Sequence, residues 1–279
     1  MTIVDAHHHL WERGRFRYAW LEGAGPLNRD YRLADFEAAI AGTGVSASVF
    51  VQADADEAFG IQEARWVLSM ADDAGPIQAV VAWAPVERPD LEDYLTRLGS
   101  HPKLRGVRRL IQGEPDPGFC ARPEFVAGVR KLGEAGLSFD ACVHHPQLPA
   151  LVRLAAAAPD TAIVLDHIGK PAIATGQVQP WRTHLRELAA MDHVACKLSG
   201  LVTEARRDAW EVDQLRPYAD AVVEAFGFER LMFGSDWPVC TLASEYGRWL
   251  EAVQELVRGA SEGERRALFC ESAQRFYRV

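Results

Sequence analysis

Ile3-Val4-Asp5-Ala6-His7-His8-His9 opens with a short, largely apolar run that ends in three consecutive histidines. A β-branched run this short, stopped at once by polar residues, reads as a strand whose C-terminal end carries chemistry. Working outward, the same pattern recurs at Ala47–Gln52, Gln78–Trp83, Gly106–Ile111, Phe139–His144, Ala162–Asp166, Val194–Leu198 and Leu231–Gly234, which with Ile3–Ala6 makes eight predicted strands. Helical periods fill the gaps: Ile61, Ala64, Leu68 and Ala71 share one face of a helix, as do Phe125, Val129 and Leu132. Eight strand–helix units predict an α/β fold, a single-domain (β/α)8 barrel of the TIM type over residues 1–279, with its active site at the C-terminal ends of the strands. A doubly wound sheet would use fewer strands and a glycine-rich phosphate turn after the first. No such turn and no P-loop are present, which argues against a nucleotide cofactor.

Composition agrees with one large globular domain. The chain has 279 residues, 48% apolar and 25% charged, with no repeat, low-complexity tract or linker. A net charge of −9 and the lack of any basic run argue against nucleic acid and anionic membrane as partners. No eighteen-residue apolar stretch and no signal-like leader are visible, so a cytoplasmic location is expected. The five cysteines, Cys120, Cys142, Cys196, Cys240 and Cys270, are scattered without a C-x-x-C pair, which argues against both a disulfide framework and a thiolate zinc site. Cys142 and Cys196 read as small core residues. The barrel helices would look the same facing solvent or a twin subunit, so a homo-oligomer stays open.

Six of the nine histidines lie at predicted strand ends: His7, His8 and His9 on the first, His144 and His145 on the fifth, His167 on the sixth. A barrel would gather them on one rim, where the eighth strand delivers Asp236 within Gly234-Ser235-Asp236-Trp237-Pro238. Alternation along a strand puts His7 and His9 on the same side and His8 on the other. Imidazoles with a carboxylate are ligands for a divalent ion that keeps one position open for water, zinc foremost. His144 and His145 cannot both face the centre, and His145 is the one expected there. The long loops Glu12–Asp30, Gln112–Pro123, Lys170–Pro180 and Thr203–Asp213 would shape the cavity.

Asp5-Ala6-His7-His8-His9-Leu10-Trp11, Val164-Leu165-Asp166-His167-Ile168-Gly169-Lys170-Pro171, Cys196-Lys197-Leu198-Ser199-Gly200 and Gly234-Ser235-Asp236-Trp237-Pro238 together resemble the amidohydrolase superfamily. More narrowly they resemble its branch of sugar-lactone and related lactone hydrolases, and the likeness runs in order from Val4 to about Trp249. The resemblance implies that His7 and His9 are the His-x-His of strand one, that His145 and His167 are the histidines of strands five and six, and that Asp236 is the catalytic carboxylate. Binuclear members carry a metal-bridging Lys or Glu on strand four; Arg108 and Arg109 stand there instead, which points to one ion or none. The implied metal ligands are His7, His9 and Asp236, with His145 as an optional fourth.

The leading expectation is therefore hydrolysis of a sugar lactone, with Asp236 as general base on water and His167 and His145 beside it. Arg108, Lys197, Gln52, Trp83 and Trp237 are expected to hold the substrate, a guanidinium fork and aromatic rings suiting hydroxyls and sugar faces. The alternatives are a metal-dependent decarboxylase of an unsaturated or aromatic acid from the same superfamily, and a catalytically silent barrel that binds a sugar acid.

Overall fold

The computed structural model describes residues 2–73 and 75–279. Eight parallel strands pair in chain order: β1 (Ile3–His8), β2 (Val45–Val51), β3 (Ile77–Ala82), β4 (Leu104–Val107), β5 (Ser138–Ala141), β6 (Ile163–Leu165), β7 (Val194–Leu198) and β8 (Leu231–Phe233). A helix follows each: Leu33–Ile40, Gly60–Ala71, Leu91–Leu98, Pro123–Glu134, Leu148–Ala157, Trp181–Ala189, Val212–Phe226 and Tyr246–Leu256. This is the (β/α)8 barrel, and the alternation that predicted it has a simple cause. Each helix presents an apolar stripe, such as Phe125, Val129 and Leu132, that is buried only against the outward side chains of the strands, here Phe139.

Closure between β8 and β1 is not a regular ladder. The segment just beyond β8 joins β1 through Asp236 N to His7 O at 2.8 Å and His9 N to Trp237 O at 2.7 Å, so the last seam of the barrel is stitched at the rim by the candidate site's own residues. The lower interior is filled with small side chains, among them Val4, Ala6, Val49, Ala79, Val164 and Ala195, and is closed by Ala273 and Tyr277 from the helical tail Glu262–Tyr277.

Two strands end earlier than their apolar runs suggest. Past β4 the chain crosses over the end of β5, with Ile111 N and Gln112 N both donating to Cys142 O at 3.1 Å, so the run to Ile111 is a crossing rather than a longer strand. Past β5, Pro146 lacks the N–H that a ladder needs. His144–Gln147 turns instead, with His144 N donating to the Gln147 side chain at 2.9 Å.

Candidate active site at the barrel rim

β1 aims its histidines by an irregularity. Val4 and Ala6 face the interior, so strict alternation would send His7 outward; the β1–β2 register shifts between Asp5 and His8 and brings His7 in as well. A bulge commonly re-aims a side chain in this way. Gly234 completes the arrangement, because a Cβ there would lie 2.9 Å from His7 Cβ and 3.2 Å from Ser199 Cβ. His8 points the other way, stacked on Phe36 at 4.0 Å with Ser48 Oγ 3.1 Å from its Nε2.

The tautomers of the inward pair follow from their partners. His9 Nδ1 donates to Val51 O at 2.7 Å, so its Nε2 lone pair faces the site, and His7 Nδ1 lies between Lys197 Nζ at 3.2 Å and Asp166 Oδ1 at 3.3 Å, with its Nε2 toward the site beside the donor Arg108. These two nitrogens are 3.2 Å apart, and Asp236 Oδ1 lies 3.3 Å from His9 Nε2 and 3.7 Å from His7 Nε2. His167 Nε2 stands 3.8 Å from the same oxygen, its Nδ1 held 2.9 Å from Ser199 Oγ. Arg108 brings Nη1 to 3.3 Å from His7 Nε2 and binds Gln52 O with its other arm.

Electrostatics sort these groups by charge. Burial pushes the imidazoles down, His167 to about 4 even against the pull of Asp236 and Asp166, so they stay neutral as ligands must. Burial would raise Asp236, but His167, His9 and His7 around it outweigh that and hold it well below the ordinary carboxylate range. The centre is a carboxylate that the histidines around it keep ionised.

That donor set suits a metal ion. Ligands at about 2.0–2.2 Å from a tetrahedral zinc are separated by roughly 3.3–3.6 Å, and the triangle His7, His9, Asp236 measures 3.2, 3.3 and 3.7 Å. A second group, His7, Asp166 and His167, is less suited, because Lys197 Nζ already sits 2.9 Å from Asp166 Oδ1.

A family model described as amidohydrolase matches residues 4–279. The chain belongs to the amidohydrolase family. A Burkholderia multivorans protein named L-fucono-1,5-lactonase is 38% identical to it over 286 residues, covering 98% of this chain and 95% of the relative. The crystal structure of a B. multivorans amidohydrolase with bound zinc superposes over 100% of both chains with a TM-score of 0.91 at 38% identity. A 2,6-dihydroxybenzoate decarboxylase from Rhizobium reaches a TM-score of 0.65 at 14% identity over 100% of this chain and 99% of that one, a likeness of fold alone.

In this amidohydrolase His7, His9, His167, Arg108 and Asp236 converge, and His9, His167, Arg108 and Asp236 line a cavity of about 200 Å³. Other expected residues lie elsewhere. His145 is partly exposed in the turn after β5, outside both candidate metal groups and outside the cavity wall; β5 stops at Ala141, so the next four residues carry it past the rim. Lys197 is fully buried one layer below the rim, between Asp140 at 2.6 Å and Asp166 at 2.9 Å, and is not free to hold substrate. Gln52 spends its side chain on the backbone, its Oε1 accepting from Asp54 N and its Nε2 donating to Arg108 O at 3.4 Å. The Trp237 ring packs against Tyr31 and Phe36 at 5.4 and 5.5 Å, supporting the loop that carries Asp236. Trp83 lines an adjoining cavity instead.

The cavity also holds side chains not singled out as site residues, Asp54, Gln112, Cys142 and Lys170, and it is lined by Trp20 from the loop after β1, one of the aromatic residues that the sequence suggests for a sugar wall. Cys142, expected to be a core residue, is buried but forms part of this wall. Asp166, bonded to His7 and Lys197, was readable as a charged residue ending an apolar run next to His167. No helix among the described residues is long and apolar enough to cross a membrane.

Proposed function

We propose that this protein hydrolyses a sugar lactone to its hydroxy acid, using Asp236 as general base and one divalent ion, zinc, held by His7, His9 and Asp236. The observation that carries the reading is a buried Asp236 grouped with His7 and His9 on the wall of a cavity, on a chain similar along nearly its whole length to a protein named a lactonase. A bound ion would polarise the carbonyl and make water more acidic. The imidazole contacts of Asp236 all fall on Oδ1, which leaves Oδ2 to take a proton from the attacking water. Water adds to the lactone carbonyl carbon, the bond from that carbon to the ring oxygen breaks, and the proton on Asp236 passes to the leaving ring oxygen. Arg108, buried beside His7, is placed to donate to the oxygen that gains negative charge, and His167, fixed by Ser199, orients water or carbonyl.

The test is a pH-indicator assay on a panel of sugar 1,4- and 1,5-lactones, with and without chelator, since ring opening releases a proton. Rapid acid release on a few stereochemically related lactones, lost with chelator and restored by zinc, is the expected result. Silence across the panel from folded, zinc-loaded protein, with carbon dioxide released from an aromatic or unsaturated acid, would replace this reading with the decarboxylase.

A further inference from the structure

Asp54 is a carboxylate that the fold positions with care and then leaves without a partner. It follows β2 in the left-handed region, at φ 59°, a conformation that costs an L-residue energy unless its surroundings impose it. Gln52 imposes it by accepting the Asp54 N–H with its side-chain oxygen, and Glu63 holds the neighbouring Ala53 N–H at 3.3 Å. The Asp54 carboxylate itself is half-buried, and among the described residues it accepts no hydrogen bond and forms no ion pair. It lines the cavity that contains Asp236, and it also lines the adjoining cavity of about 290 Å³ beside Trp83 and Arg109. Trp20 is the other residue shared by both, its indole N–H fixed to Ala53 O at 2.9 Å.

An ionised carboxylate only accepts hydrogen bonds, so its missing partners must be donors. A cation is a poor fit, because Arg108 shares the same wall and would repel it. A negatively charged group would be repelled by Asp54 and would turn to Arg108 and Lys170 on the same wall, so it leaves Asp54 unanswered. Neutral hydroxyls answer it, and two on adjacent carbons match the two oxygens of one carboxylate. Trp20 offers the apolar face that the C–H side of a sugar needs.

On the lactonase reading above, we infer that Asp54 is the specificity-determining residue of this site, accepting hydrogen bonds from the hydroxyls of the lactone whose carbonyl lies at Asp236. The enzyme then prefers polyhydroxylated lactones over unsubstituted ones. A site built to bond a hydroxyl discriminates strongly against an analogue that lacks it, because its polar group is left unanswered.

Asp54→Gly and Asp54→Asn test this without backbone strain, as both residues accept positive φ. The quantity to read is the ratio of kcat/KM for a hexono-1,5-lactone with free hydroxyls to that for δ-valerolactone. Asp54→Gly lowers the ratio about a hundredfold and Asp54→Asn, which keeps one acceptor, about tenfold, while zinc content and Tm stay at the parent values. A ratio that does not move, or equal losses on both lactones, overturns the assignment and leaves the lactonase reading standing. A parent protein that opens neither lactone overturns both.

Discussion

Two buried polar clusters lie one above the other along the barrel axis, and they are made on opposite terms. In the lower one the charges are paired within the protein: Lys197 sits between Asp140 and Asp166, Tyr277 from the tail donates to Asp140 at 2.6 Å, and Ser138 donates to it at 3.3 Å. In the upper one His7 Nε2, His9 Nε2 and Asp236 Oδ1 crowd within 3.7 Å of one another, with the Arg108 guanidinium 3.3 Å from His7 Nε2. Such crowding costs free energy unless something electropositive comes between. A lysine ammonium joins the carboxylates of the lower cluster, and the upper one gathers atoms spaced as metal ligands. Charge and burial alone do not separate them; donor type and spacing do.

The largest expected consequence falls on the upper cluster. Asp236→Asn removes the base and one ligand, and turnover on the preferred lactone should fall by about 10² to 10⁴, with an unfolding midpoint in urea close to the parent's. Normal turnover in this variant would remove Asp236 from its role. Lys197→Met is the mirror experiment. It leaves Asp140 and Asp166 buried without their cation and should cost about 3–5 kcal/mol of stability, read as a lower urea midpoint; unchanged stability would mean that the lower cluster is not structural. His9→Asn sharpens the contrast, since zinc by elemental analysis should drop below one-tenth equivalent while stability changes by only about 1 kcal/mol, the value of the bond to Val51 O.

Glu63 provides the smallest test, a buried acid belonging to neither cluster. It lies on the helix Gly60–Ala71, and burial raises its pKa to about 8 against the bond from Ala53 N, the Tyr18 hydroxyl and the charge of Arg108. The folded state therefore holds this proton more tightly than the unfolded chain, and stability falls as pH rises from about 4.5 to about 8. Glu63→Gln keeps an acceptor for Ala53 N and removes the titration. The Tm advantage of the variant should grow across that window, by about 2–4 °C for each 1 kcal/mol. A constant difference from pH 5 to 8.5 would show that Glu63 is ionised throughout.

Much of the upper cluster was legible in the sequence because strand ends and alternation are local properties. His7, His9, His167 and Asp236 follow from eight apolar runs and a period of two, although the inward turn of His7 depends on a bulge that no period announces. Depth along the axis is not local. Lys197 on β7 and Ser199 just past its end are two residues apart, yet one is buried in the lower cluster and the other bonds His167 at the rim. His145 was misplaced because an apolar run overstates its strand by the length of a turn, and Pro146 was the overlooked stop. Gln52 and Trp237 have the side chains to hold a substrate, but the backbone claims one and the core the other, which residue type alone does not reveal. Asp54 could not be found by pattern, since its interest lies in what does not touch it.

Among the described residues, six other than glycine have positive φ, and five of them, Asp54, His167, Ile168, Lys170 and Asp236, lie in the loops above β2, β6 and β8. For protein engineering this sets a trap. Where the side chain is only partly buried, as at Lys170 on the cavity wall, glycine would relieve strain without leaving a cavity, so a library screened on heat resistance alone would collect such replacements first. The hardiest clones from that screen would be barrels with an erased rim, and any campaign to toughen this fold has to select for turnover in every round.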